Sequence, residues 1–286
     1  MDTRNILLDR VTDLDRSQDN KMAWAEARTY CETHCIEECD IAVYPCSVLG
    51  DIAYLVSVID RVAGSDFAAD WVAFSPLTGT QADDIMQTSA ILERLARNAP
   101  QLTIGPLRPD SQFWVATGRP AFPERRHYEL DAGAFVDAGV RVKGVHSTKP
   151  SAFGIFTSTG ICDEYGMWRI YLDMNENSPL YPRPWQTWKV EISSHANIRE
   201  IASAQDWVHF VDEYSIVKES YCFPDWHRIA EDYDGVHVTL QAVAAVEGIP
   251  FHAQAGVIPP AYWGVESTFW LHWCFTDKSL REVIHK

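Results

Sequence analysis

Pro100, Gly105, Pro106, Pro109, Pro120 and Pro123 punctuate one short stretch of this chain, and the hydrophobic pattern changes across it. Upstream, apolar residues recur every three to four positions. Residues 82–98 carry Ile85, Met86, Ile91, Leu92 and Leu95 at that spacing, which predicts an amphipathic helix. Residues 22–39 and 48–62 also read as helical, while 69–74 is strand-like and ends in the turn Ser75-Pro-Leu-Thr-Gly79. Downstream, short alternating runs take over. The expected architecture is α+β: a mostly helical region over residues 1–115, then a β-rich domain with short helices over 116–286. The joint lies between residues 100 and 130.

Within the second region, 185–192 alternates with Trp188, Val190 and Ile192 on one face. Ser203, followed three residues later by Asp206, predicts a helix start that buries Trp207, Phe210 and Val211. Pro224 suits the first turn of a short helix over 224–230. Asp234-Gly235 predicts a tight turn into a strand ending near Leu240. A last strand over 264–275 places Glu266, Thr268, Trp270, His272 and Cys274 on one face.

Composition narrows the function classes. With 286 residues, 47% hydrophobic and 22% charged, the chain can bury a large core. Its net charge of −16 repels nucleic acid and anionic membranes. The basic group Arg119, Arg125 and Arg126 encloses Glu124 and is too small for a nucleic-acid footprint. No apolar run suits a signal peptide or a membrane span. Seven cysteines, an odd number, fit reduced thiols in a cytoplasm. The eleven tryptophans favour a ligand cleft without locating one.

Two strand-like runs, 140–145 and 153–159, flank a turn at Lys149-Pro150. Thr157, Ser158 and Thr159 crowd the second run, with Thr157 and Thr159 on one side and Ser158 on the other. Such hydroxyls fit either a half-exposed edge strand or the orientation of a polar neighbour. Glu266, early in an aromatic strand beside Trp263 and Trp270, is either a strand-end carboxylate facing water or an arginine, or a desolvated acid of the kind found in active sites. Cys31, Cys35 and Cys39 would line one stripe of a helix, with His34 adjacent. Three thiols on successive turns lie too far apart to close a tetrahedral zinc site, so small buried hydrophobes are the default. His237 reads as a satisfied histidine beside a turn, and His227 and Asp225 belong to no recognisable nucleophile motif.

Gly154-Ile-Phe-Thr-Ser-Thr159 resembles the hydroxyl-rich second strand of the ADP-ribosyltransferase fold. An upstream run holding Arg141 and His146, and a late strand bearing Glu266, occur in the same order. The similarity spans roughly residues 130–280. It implies NAD as substrate, no metal, and a protein or small-molecule acceptor. In the arginine–serine–glutamate branch, Arg141 would grip the NAD phosphates and Ser158, supported by Thr157 and Thr159, would orient the catalytic acid Glu266. In the histidine–tyrosine–glutamate branch, His146 would hold the adenosine-side ribose and Tyr171 would stack on nicotinamide. Gly264 stands where many arginine-modifying members carry Glu or Gln. The reading from a different class is a non-catalytic acidic module, immunity- or antitoxin-like, that binds protein.

Overall fold

The structure, a computed structural model, describes residues 51–56, 91–118, 132, 135, 137, 138, 146–150 and 153–285. The chain is α+β, and its described strands fall mostly in the C-terminal half. Residues 51–56 and 91–98 are helical, inside two of the three upstream segments expected to be so; the third, 22–39, lies outside the described residues. A short helix α1 (Pro100–Thr103) follows, with proline in its first turn, where no backbone donor is missed.

A seven-stranded sheet organises the rest. In chain order its strands are β1 (Gln112–Ala116), β2 (Ile155–Thr159), β3 (Trp185–Ile192), β4 (Ile198–Ile201), β7 (Gly235–Val238), β10 (Ser267–Trp270) and β11 (Phe275–Ile284). Their spatial order is β11-β3-β1-β2-β10-β7-β4, antiparallel throughout except for the β4–β7 pair. Residues 112–116, in the stretch read as a loop-rich joint, thus form a central strand. Their alternation is masked because Phe113 and Trp114 bury on opposite faces. A smaller sheet holds β5 (Ser215–Lys218), β6 (Tyr221–Pro224), β9 (Val257–Ile258) and β8 (Phe251–His252) in that order.

The large sheet separates two apolar layers. Phe113, Phe156, Phe269, Val236 and Val238 face the helices α2 (Met167–Met174), α3 (Ala204–Glu213), α4 (Trp226–Asp232) and α5 (Leu240–Val246). The opposite face carries the smaller cluster of Trp114, Ile155, Val190, Ile192, Trp270 and Phe275. Helix α3 starts as expected: Ser203 accepts from the Asp206 backbone N–H, and Trp207, Phe210 and Val211 are fully buried. The Asp206 carboxylate reaches back to the Ala202 N–H at 3.1 Å, closing a capping box one residue early.

Three expectations are corrected. Pro224 ends β6 instead of opening a helix, and Asp225 caps α4. The strand from Gly235 stops at Val238, because Thr239 accepts from the Ala242 N–H and starts α5. The last strand starts only at Ser267, so Glu266 lies just before it and not within it, and it breaks after Trp270: the Leu271 and His272 N–H groups both donate to the Asp234 carbonyl. The chain then crosses to the far edge of the sheet, where β11 pairs with β3. The run 140–145 and the Cys31–Cys39 segment lie outside the described residues. Among those described, no helix is long and apolar enough to cross a membrane.

Candidate functional site

Strand register puts one polar row across the sheet. Glu200 lies beside His237, His237 opposite Thr268, Thr268 opposite Thr157, and Thr159 opposite Gln112. Directly paired residues share a face. Glu266, two residues before Thr268, turns its carboxylate onto the same face. The row sits on the side away from the helices, flanked by Trp114 and Trp270.

Hydrogen bonds connect the row. The Thr159 N–H donates to Glu266 Oε2 at 2.8 Å, and the Thr159 hydroxyl donates to Oε1 at 2.9 Å. His237 Nε2 meets Oε1 at 2.9 Å, and its Nδ1 meets Glu200 Oε2 at 3.1 Å. Behind Thr159, Gln112 Nε2 donates to the Thr159 hydroxyl at 3.2 Å and to the Arg108 carbonyl at 3.2 Å. The Thr157 hydroxyl donates to Gln112 Oε1 at 2.7 Å and accepts from Trp270 Nε1 at 2.8 Å. Each hydroxyl has one proton and each carboxylate none, so the direction of donation is fixed. It runs Trp270, Thr157, Gln112, Thr159 and ends on Glu266.

The imidazole closes the row from the other side. Both of its nitrogens face carboxylates, so both carry protons and the ring is cationic. Burial pushes the His237 pKa down, but the bonds to Glu200 and Glu266 and their charges outweigh it and raise the value to about 9. For Glu200, burial pushes the carboxyl up. The His237 bond and charge, with the Leu107 N–H at 3.0 Å, win and hold it below its ordinary value. Glu266 and His237 are each 2% exposed, whereas the Glu200 side chain is 32% exposed and forms the solvent end of the row. Residues 104–111, without strand or helix, pass over that end.

Glu266 keeps acceptor capacity. A carboxylate offers about four lone-pair sites, of which three are taken, so one remains on Oε2. Thr268 Oγ1, in a residue that is 0% exposed, meets no hydrogen-bond partner.

The site residues expected from sequence fall into separate groups. Glu266, Thr157 and Thr159 come together. Ser158 points to the helix face, where its hydroxyl accepts from the Trp168 N–H at 2.9 Å and anchors the start of α2. Tyr171, on α2, packs against Trp168 (ring centroids 4.9 Å apart) and over Gly264. The neighbouring box of Phe156, Trp168 and Trp263 holds the Lys149 ammonium, 4.8 Å from the first two rings and 5.6 Å from the third. His146 lies beside Phe223 of the small sheet, with ring centroids 5.9 Å apart. Arg141 is outside the described residues. The hydroxyl that bonds Glu266 is therefore that of Thr159, while Ser158 and Tyr171 belong to the opposite face of the sheet.

Sequence reasoning passed over Gln112 and Glu200 and took His237 as a satisfied core or surface histidine, which it is, without naming its partners. One signal for His237 was present: it stands between Val236 and Val238, so in a strand it must face away from the side those valines bury. Among the described residues, no group of three or more His, Cys, Asp or Glu side chains is placed to hold a metal. No protein-family model matches this chain, and neither a curated protein nor a solved structure matches it.

Proposed function

We propose that the chain cleaves the bond between nicotinamide and ribose in NAD, passing ADP-ribose to an acceptor or to water, with Glu266 as the essential carboxylate. As the bond breaks, nicotinamide leaves with the electron pair and positive charge grows on the ribose. A fixed, ionised carboxylate stabilises that oxocarbenium-like centre and accepts from a ribose hydroxyl. The acceptor nucleophile then forms its bond to the same ribose carbon and releases its proton to solvent.

One observation carries this reading: Glu266 is held by Thr159 and by cationic His237, with one lone pair of Oε2 still free. Such a carboxylate is charged and oriented before substrate arrives, which is what electrostatic stabilisation of a transition state requires. The likeness of Gly154–Thr159 to the hydroxyl strand of ADP-ribosyltransferases supports the same assignment. Ser158 and Tyr171 take no part in it, since they lie across the sheet from Glu266. Because Glu266 is 2% exposed, substrate reaches it only if part of its cover moves. The segment 104–111, over the Glu200 end, is the cover we assign to that role.

The test is release of free nicotinamide from NAD by the purified chain. Wild-type protein should turn over, and Glu266→Gln should be slower by about 10²-fold or more. Circular dichroism must show Glu266→Gln folded for the comparison to count. If wild-type protein neither turns NAD over nor gains thermal stability from it, the row is a structural network and the acidic protein-binding module is the better description.

A further inference from the structure

We propose that Thr268 is a second substrate contact, and that Thr268 Oγ1 and Glu266 Oε2 together receive neighbouring hydroxyls of one ribose. The inference rests on the NAD reading and specifies which part of the substrate the site grips. Every other polar side chain of the row is bonded to its neighbours. Thr268 alone among its described members has none, although it is 0% exposed and central. A buried hydroxyl without a partner loses the hydrogen bonds it would make in water and gains nothing inside the fold. Its two direct neighbours cannot donate to it. The one Thr157 proton goes to Gln112, and both His237 protons go to carboxylates.

The chemistry of the ligand follows from what is unmet. Glu266 Oε2 needs a donor, and a threonine hydroxyl takes either a donor or an acceptor. Adjacent hydroxyls on a sugar supply both: one donates to the carboxylate, and the next exchanges a hydrogen bond with Thr268. Glu266 lies just before β10, and its bonds to Thr159 and His237 hold its carboxylate on the face of the sheet that carries Thr268, so one ligand on that face meets both. An apolar group would leave both protein atoms unmet. An anion would be repelled by Glu266.

Thr268→Val tests this without changing the shape of the side chain. Two readouts are taken: the denaturation midpoint, and affinity for NAD and ADP-ribose by calorimetry. The expected result is an equal or higher midpoint with roughly tenfold weaker binding, the loss of about one hydrogen bond. Thr268→Ser should bind nearly as wild type. NAD lacking the ribose hydroxyl that meets Thr268, found by comparing the 2′- and 3′-deoxy analogues, should bind wild type and Thr268→Val alike. A lower midpoint for Thr268→Val would mean that the hydroxyl is already bonded within the fold, and overturns the assignment whatever the ligand does. Equal NAD affinity in wild type and Thr268→Val also overturns it and leaves the NAD reading standing. Failure of the wild-type protein to bind NAD or ADP-ribose removes both.

Discussion

His237 Nε2 and Glu266 Oε1 lie 2.9 Å apart, both almost wholly removed from solvent. Neither charge survives there alone. Removing one partner of a buried ion pair typically costs about 3–5 kcal/mol, because the other charge is left without compensation. His237→Ala is therefore expected to lower the unfolding free energy by about that amount, read from urea denaturation. Replacing both residues with leucine should cost less than His237→Ala alone, since the charge then left without its partner is that of Glu200, which reaches solvent, and not the buried Glu266. A loss well under 1 kcal/mol for His237→Ala would mean that the two groups are not paired as charges.

The same pair sets a pH dependence whose sign is fixed. The folded-state pKa of His237 is raised from an ordinary 6.5 to about 9. A raised histidine adds stability that is fully present below about 6.5 and disappears as the pH climbs through 9. The span of about 2.5 units corresponds to about 3 kcal/mol. Urea midpoints measured from pH 6 to 10 should fall across this window, and Glu200→Gln should shrink the fall. Glu200 acts oppositely at the acid end. Its carboxyl is held below its ordinary value, so its contribution is present above the usual carboxylate range and lost as the pH drops through the lowered pKa. A flat profile between pH 6.5 and 9 would contradict a cationic His237.

Gly264 controls how the chain enters the Glu266 strand. Its φ of +75° lies in the left-handed region, and a Cβ there would come within 3.0 Å of the Tyr171 ring. The Trp263 and Gly264 N–H groups also donate to Glu247, at 2.7 and 3.0 Å, which pins this corner. Gly264→Ala therefore brings backbone strain and makes the Tyr171 ring give way by a few tenths of an ångström, at a cost of about 1–3 kcal/mol. If nicotinamide release is measured as well, it should drop even where the variant remains folded, because Glu266 follows two residues later. A variant as stable and as active as wild type would mean that the corner yields freely.

Particular residues show how far the sequence could be read. Residues 185–192 form a strand over the whole range expected, because Val190 and Ile192 alternate onto one buried face with Trp188 packed beside them. Ser203 with Asp206 announced α3 through capping chemistry that is local. Glu266 facing the hydroxyl strand could be anticipated, since a carboxylate inside an aromatic strand needs donors. What escaped was non-local. Glu200 and Gln112 look like ordinary polar residues until β4 and β1 are placed beside β7 and β2, pairings that no local pattern specifies. Helix α2 has Gly166 at its N-cap, and the side chain that meets its first turn is the distant Ser158, so its start carried no local signal. Ser158 lies on the face away from Glu266 as a matter of parity. Neighbouring hydroxyls in a strand point to opposite sides, and only the partner strand decides which side holds the acid.

Thr157 and Thr268 face one another across paired strands, yet one chemical change should act on them with opposite sign. Thr157 is committed twice: it donates to Gln112 at 2.7 Å and accepts from Trp270 at 2.8 Å. Thr157→Val keeps the shape and strips both bonds, leaving a buried amide oxygen and a buried indole N–H unmet. Each unmet group costs about 1–3 kcal/mol, so the variant should lose several kcal/mol in chemical denaturation. It should also loosen Gln112, the donor behind the Thr159 hydroxyl, and so weaken the grip on Glu266 from two strands away. Thr268→Val removes a hydroxyl with no partner and should be neutral or stabilising. Similar losses at the two positions would mean that the row is bonded differently from the chain of donors described, and the direction of donation toward Glu266 would fall with it.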